Sequence, residues 1–219
     1  NKKDIRVGDS VIIQRAGDVI PEIVKVIIEK RKSNSVTYAL PSLCPSCSEP
    51  VSRIEEEAIM RCLNVSCPAQ LEEKIKHFVS KNCLDIDGLG IKIVQLVIRN
   101  NLISNVSDIF MLTHNQLSDL DRLGDKSAAN IIESINKSKN TSMSRFIHGL
   151  GIRNVGEHLS KVLENQFDNN INNLIDADFN DLIAIDEIGD IVADSISKYF
   201  NDSNNLMIID RCFELGVVF

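Results

Sequence analysis

The 219-residue sequence contains no tryptophan, and aromatic residues make up only 5% of it. Any core must therefore be built mostly from isoleucine, leucine and valine, and a hydrophobic content of 43% is enough to supply one. Long apolar runs are also missing. Nothing approaches the roughly 18 apolar residues of a membrane span. The polar start Asn1-Lys2-Lys3-Asp4 is not followed by the apolar stretch of a secretory signal. Six cysteines without such a signal point to a reducing, cytoplasmic compartment, where clustered thiols hold metal more often than they pair. The first residue is not methionine and a strand-like pattern begins almost at once, so the expectation is a piece of a longer protein.

A net charge of −7 argues against a nucleic-acid partner until its distribution is considered. Residues 1–70 carry ten basic and nine acidic side chains, and residues 71–162 carry twelve and ten. Residues 163–219 carry two and twelve. The acidity belongs to the last quarter, and binding depends on the local field rather than the total.

Residues 1–41 read as β-structure. Val11-Ile12-Ile13, Ile23 to Ile28 and Val36 to Leu40 are short β-branched runs punctuated by Gly17-Asp18 and Pro21. Three strands make no closed sheet, so this is expected to be the end of a small barrel. From Gln70 the period turns helical, with Leu71, Ile75, Phe78 and Val79 on one face.

Between these regions, Cys44, Cys47, Cys62 and Cys67 form a C-x2-C-x14-C-x4-C pattern. A tetrahedral Zn²⁺ site takes four soft ligands from two turns, and a two-residue gap lets both thiolates of one turn face the same ion. Val51–Ile54 and Ala58–Arg61 are expected to form the hairpin between the pairs. Two disulfides or four unrelated thiols are the alternative. Four cysteine ligands leave no position open for water, so the zinc is expected to be structural. Cys83 and Cys212 lie among apolar residues and read as small buried hydrophobes. His77 reads as a helix-surface or partly buried histidine.

A repeat then runs to the end of the chain. Its frame is Ile86-Asp87-Gly88-Leu89-Gly90 with Val94, Leu120-Asp121-Arg122-Leu123-Gly124 with Ala128, Ile152-Arg153-Asn154-Val155-Gly156 with Ser160, and Ile185-Asp186-Glu187-Ile188-Gly189 with Ala193. The last glycines of the frame are separated by 34, 32 and 33 residues, the mark of one supersecondary unit used repeatedly. In each unit a helix ends, a tight turn returns an apolar residue to the core, and glycine opens a second helix. The unpaired N–H groups of that helix's first turn, with the positive end of its dipole behind them, form an anion site. This is the helix-hairpin-helix motif, which holds a DNA strand by its phosphates. Two residues after the frame glycine stand Lys92, Lys126, His158 and Ile191, so the first two units offer a cation. The third has Arg153 in its turn, and the fourth has Asp186, Glu187 and Asp190, which repel phosphate. Gly149-Leu150-Gly151 lacks the third glycine and the preceding strand of a dinucleotide-binding loop.

Arg15-Ala16-Gly17-Asp18-Val19-Ile20-Pro21 resembles the strand-turn signature in the oligonucleotide-binding barrel of bacterial NAD-dependent DNA ligases. His77-Phe78-Val79-Ser80, Asp85 to Gly90 and Leu150 to Gly156 also resemble segments of that family. The resemblance covers the whole chain. It implies a multi-domain, mainly α protein with three parts: the C-terminal part of an OB-fold barrel over 1–41, a four-cysteine zinc ribbon over 42–69, and an all-α domain of four helix-hairpin-helix motifs over 70–219. Asp125 stands where the family often has proline, and the second cysteine pair is widely spaced.

The function implied is the grip on nicked double-stranded DNA by an enzyme that seals the nick with NAD and Mg²⁺. The adenylated lysine of a K-x-D-G motif is not found here, so no catalytic residue is expected. The N-terminal adenylation domain and a C-terminal BRCT domain would lie elsewhere in the same protein, and this piece alone would be inactive. Candidate DNA contacts are Arg15, Gly88, Gly90, Lys92, Gly124, Lys126, Arg153 and Gly156. The rival readings are a non-enzymatic helix-hairpin-helix module of a repair or recombination protein, and a protein-interaction module to which the acidic tail belongs.

Overall fold

Valine and isoleucine dominate Val11–Ala16 (β1) and Ile20–Val26 (β2), and the two strands pair antiparallel. Gly17, with φ of 57°, lies in the turn between them. The register runs from Val11 opposite Val26 to Ala16 opposite Ile20, with a bulge between Ile12 and Ile13. The computed structural model describes residues 3–17, 19–53, 59–64, 67–121 and 123–219; Asp18, singled out with Gly17 from sequence, lies outside them. The chain divides into two compact units, Asn1–Leu63 and Asn64–Phe219.

The third β-branched run does not form a strand. Residues 36–40 make only the single bridge from Thr37 to Arg6. Composition favours a strand there, but a strand exists through its ladder, and no described neighbour runs alongside. Two strands cannot bury both of their faces, and Ile13 (63%) and Ile20 (67%) are exposed.

Charges hold the first unit where apolar packing is thin. Arg31 grips the Asp9 carboxylate through Nε at 2.9 Å and Nη2 at 2.7 Å, and reaches Asp4 at 2.7 Å. The Arg6 backbone N–H also donates to Asp9, at 2.9 Å. These contacts, the Arg31 guanidinium foremost, hold the Asp9 carboxyl below the usual aspartate range. A carboxyl with a lowered folded-state pKa stabilises the fold above its unfolded value of 3.8 and loses that contribution as pH falls through the folded value. Protection of the β1–β2 amides is therefore expected to drop on acidification below about pH 4, and less so in Asp9→Asn, which starts weaker at neutral pH. Hydrogen exchange at pH 7 and pH 3 checks this; the same acid response in both proteins would remove Asp9 as its source.

Val51–Arg53 (β3) and Met60–Cys62 (β4) form the expected hairpin, with Val51 opposite Cys62. Ile54 and Ala58, assigned to it from sequence, lie outside the described residues.

The described residues of the second unit are mostly helices joined by short loops. Its helices are α1 (Pro68–Phe78), α2 (Ile91–Arg99), α3 (His114–Ser118), α4 (Asp125–Ser138), α5 (Met143–Leu150), α6 (Glu157–Gln166), α7 (Ile171–Ile175), α8 (Phe179–Ile183), α9 (Asp190–Phe200) and α10 (Ser203–Glu214). Pro68 opens α1, where its missing N–H leaves no bond unmade. Gly151, at φ 69°, ends α5 in the left-handed conformation, so Gly149-Leu150-Gly151 is a helix terminus and not a nucleotide loop. The core is isoleucine, leucine and valine around Phe78, Phe110 and Phe146, which pack edge to face with centroids 6.1–6.2 Å apart. Cys83 and Cys212 are fully buried in it. No described helix is long and apolar enough to cross a membrane.

Candidate metal centre and nucleic-acid interface

The Sγ atoms of Cys44, Cys47, Cys62 and Cys67 all lie within 4.8 Å of one another. Cys47 and Cys62 approach to 3.5 Å, and none of the four cysteines is in a disulfide. The first pair sits on a tight loop closed by Ser48 N–H to the Cys44 carbonyl at 2.9 Å, with Ser48 left-handed at φ 61°. Pairing of β3 with β4 brings Cys62 beside that loop, and Cys67 is the N-cap of α1. Backbone N–H groups of Cys47 and Ser46 point at the Cys44 sulfur and hold its pKa below the usual thiol value. A turn that donates N–H to sulfur, and a sulfur at a helix N-terminus, both favour thiolate, the form that binds metal. The donor set fits Zn²⁺: four sulfurs surround one point, the ion would cross-link the two turns, and no position remains for substrate.

Every apolar frame position of the repeat is buried: Ile86, Leu89 and Val94; Leu120, Leu123 and Ala128; Ile152 and Val155; Ile185, Ile188 and Ala193. Ser160 takes the small position of the third unit and donates its hydroxyl to the Gly156 carbonyl at 2.9 Å. Helices α1–α2, α3–α4, α5–α6 and α8–α9 are thus the four hairpins. They pack in pairs. Asp87 N–H donates to Ser134 of α4 at 2.7 Å, and the Asn154 amide meets Ser195 of α9 at 3.2 Å.

Gly90, Gly124, Gly156 and Gly189 are the N-caps of α2, α4, α6 and α9. None of the four has a side-chain cap, whereas Thr113, Ser142, Asp178 and Asp202 cap other helices of the same unit. All four glycines have negative φ, which any residue adopts, and a Cβ added to any of them would meet nothing within 4 Å. Neither backbone strain nor internal packing requires glycine there. What its absence of a side chain provides is open access to the first-turn N–H groups.

Sequence profiles of known families match four stretches of the chain. These are the NAD-dependent DNA ligase OB-fold domain over 1–35, the NAD-dependent DNA ligase C4 zinc finger domain over 44–69, a SAM-like helix-hairpin-helix tandem over 81–137, and a helix-hairpin-helix motif over 145–209. The chain is 47% identical over 215 residues to a DNA ligase of Lysinibacillus sphaericus, 46% identical over 216 to one of Geotalea uraniireducens, and 41% identical over 216 to one of Bacillus subtilis. The chain belongs to the NAD-dependent DNA ligase family. These alignments cover 98–99% of the chain and 32% of each relative, so it spans about a third of the length of the ligases it matches.

Among the ligase residues singled out from sequence, Lys92 and Lys126 are exposed at the starts of α2 and α4 and in no ion pair among the described residues. Arg153 is exposed in the third turn, and Arg15 is exposed on β1 opposite Pro21. Gly88 has a separate reason to be glycine. Its φ is +89°, and a Cβ would stand 2.6 Å from Cγ1 of Ile131.

Sequence reasoning marked Asp186, Glu187 and Asp190 as repelling phosphate, but it missed Glu157 and the contact that Glu187 makes with the third hairpin. α2 alone has no acid in its first turn, whereas α4, α6 and α9 begin with Asp125, Glu157 and Asp190. His158 is held by Glu187 of the fourth turn at 2.7 Å, so the third hairpin's cation position already has an anion. The signal for Glu187 was its place in the frame. Gly88, Asn154 and Glu187 occupy one position and all have positive φ, a position that brings Glu187 back over α6. Arg122, at the same position, lies outside the described residues.

Proposed function

We propose that this chain is the DNA-gripping portion of a ligase that seals nicks in double-stranded DNA, acting in the cytoplasm on nucleoid DNA. NAD, Mg²⁺ and the adenylation chemistry belong to the full-length enzyme. Residues 1–41, 42–69 and 70–219 serve as barrel end, zinc ribbon and hairpin domain. Four uncapped helix N-termini, each opened by a glycine that the fold itself does not need, are the observation that supports this reading. Such termini hold phosphate oxygens through main-chain N–H groups, which suits an enzyme that must act on any sequence. The order of strength puts α2 first, because it has no first-turn acid, and α9 last, because Asp190 stands beside Asp186 and Glu187; α4 and α6 fall between, with one first-turn acid each. Arg15 and Arg153 add charge near the backbone, while Gly88 shapes the first turn.

Duplex binding is expected to be independent of sequence and to fall steeply with salt, by a slope of about 0.9 per phosphate neutralised. Lys92→Ala should flatten that slope by roughly one unit, Lys126→Ala by less, and Asp190→Ala should leave affinity unchanged or slightly raised. Fluorescence anisotropy on nicked and intact duplexes across a salt series measures all three. Salt-independent binding, or an Asp190→Ala loss equal to that of Lys92→Ala, would count against this interface.

A further inference from the structure

Three metal-binding side chains that neither the four-cysteine centre nor the hairpin N-termini use meet inside the helical unit. His77 lies in the last turn of α1, Cys83 in the segment that follows, and His148 in the last turn of α5. One nitrogen or sulfur from each lies within 4.8 Å of the others. Cys83 Sγ is 3.7 Å from His77 Nε2, and the two imidazoles meet edge to face with centroids 4.8 Å apart. Gly149 makes the approach possible, since the Cys83 Cβ stands 3.4 Å from where a side chain at 149 would begin.

The surroundings are those of a ligand set. Cys83 is fully buried. His148 Nδ1 is enclosed and has no hydrogen-bond partner, a buried polar atom left unsatisfied. His77 Nε2 stands 2.7 Å from the His148 backbone carbonyl. The nitrogen that approaches Cys83 is this same Nε2, so an ion bound there displaces its proton and releases the carbonyl contact. From sequence His77 reads as an ordinary histidine of a helix surface; only the fold brings His148, 71 residues away, against it.

We propose that His77, Cys83 and His148 form a second site for a thiophilic divalent ion of the Zn²⁺ class, joining the segment after α1 to the end of α5. Two imidazoles and one thiolate are a donor set that zinc accepts in tetrahedral geometry, with water in the fourth place. Ligand atoms around such an ion stand roughly 3.4 Å apart, so small side-chain rotations close the cluster. With three protein ligands instead of four thiolates, it fills after the four-cysteine centre.

The 219-residue protein carrying one equivalent of Zn²⁺ is dialysed against micromolar free Zn²⁺ and its metal counted. The expected result is two ions for the wild type and one for Cys83→Ser/His148→Gln, with apparent affinity for the second ion at least about tenfold weaker in either single variant. ¹⁵N spectra of the wild-type histidine rings supply an arm that needs no variant: the second equivalent should shift a ring nitrogen of both His77 and His148. One ion in the wild type, a second ion retained by the double variant, or ring nitrogens unmoved by the second equivalent would each overturn the site.

Discussion

Removing zinc with a strong chelator, or replacing Cys44 or Cys67 by serine, is expected to unfold the β3–β4 hairpin while the helical core persists. Each strand has three residues, and a two-stranded hairpin of that size is not stable in water. Leu43, Ile59 and Leu63 are exposed, so little apolar packing can replace the ion. Four-ligand zinc sites in small modules bind with roughly 10–16 kcal/mol, and that binding energy is folding energy. The helical unit has a large core of its own and should retain its far-UV signal. Metal analysis combined with amide spectra of residues 43–53 and 59–62 tests this. Zinc-free protein that keeps those amides dispersed would show that the hairpin stands without metal.

Gly88→Ala is expected to destabilise the helical unit by about 2–5 kcal/mol. A left-handed backbone costs a non-glycine residue about 1–2 kcal/mol, and overpacking a tight contact typically adds 1–3. The contact is tight, since the new methyl would sit 2.6 Å from a mid-chain atom of Ile131, which is itself buried in α4. Gly90→Ala, two residues away, should barely change stability, because its φ is ordinary and its Cβ direction is open. It should instead weaken DNA binding by crowding the first turn of α2. Thermal denaturation of the two variants side by side separates packing from access. Equal destabilisation by both would mean that the frame glycines are structural throughout.

The repeat was legible because its burial pattern is local. A spacing of 32–34 residues, with apolar residues and a small residue at fixed offsets, places each of those positions in the core, and the structure buries them. The zinc ligands were legible because ligand spacing within a turn is also a local matter. The strand assigned to 36–40 failed for the opposite reason: its composition is right, but a strand depends on a partner elsewhere in the chain.

By itself, the sequence determined the helical hairpins, their register, the four metal-binding thiols and the acidic tail, all set by composition and short-range spacing. Tertiary structure alone decided which charges meet. It seated Glu187 on His158, aimed Arg31 at Asp9, packed Ile131 against Gly88 and brought His148 to Cys83 and His77. Those encounters join residues 22 to 71 positions apart, beyond the reach of any local pattern, and depend on how one helix or strand lies across another.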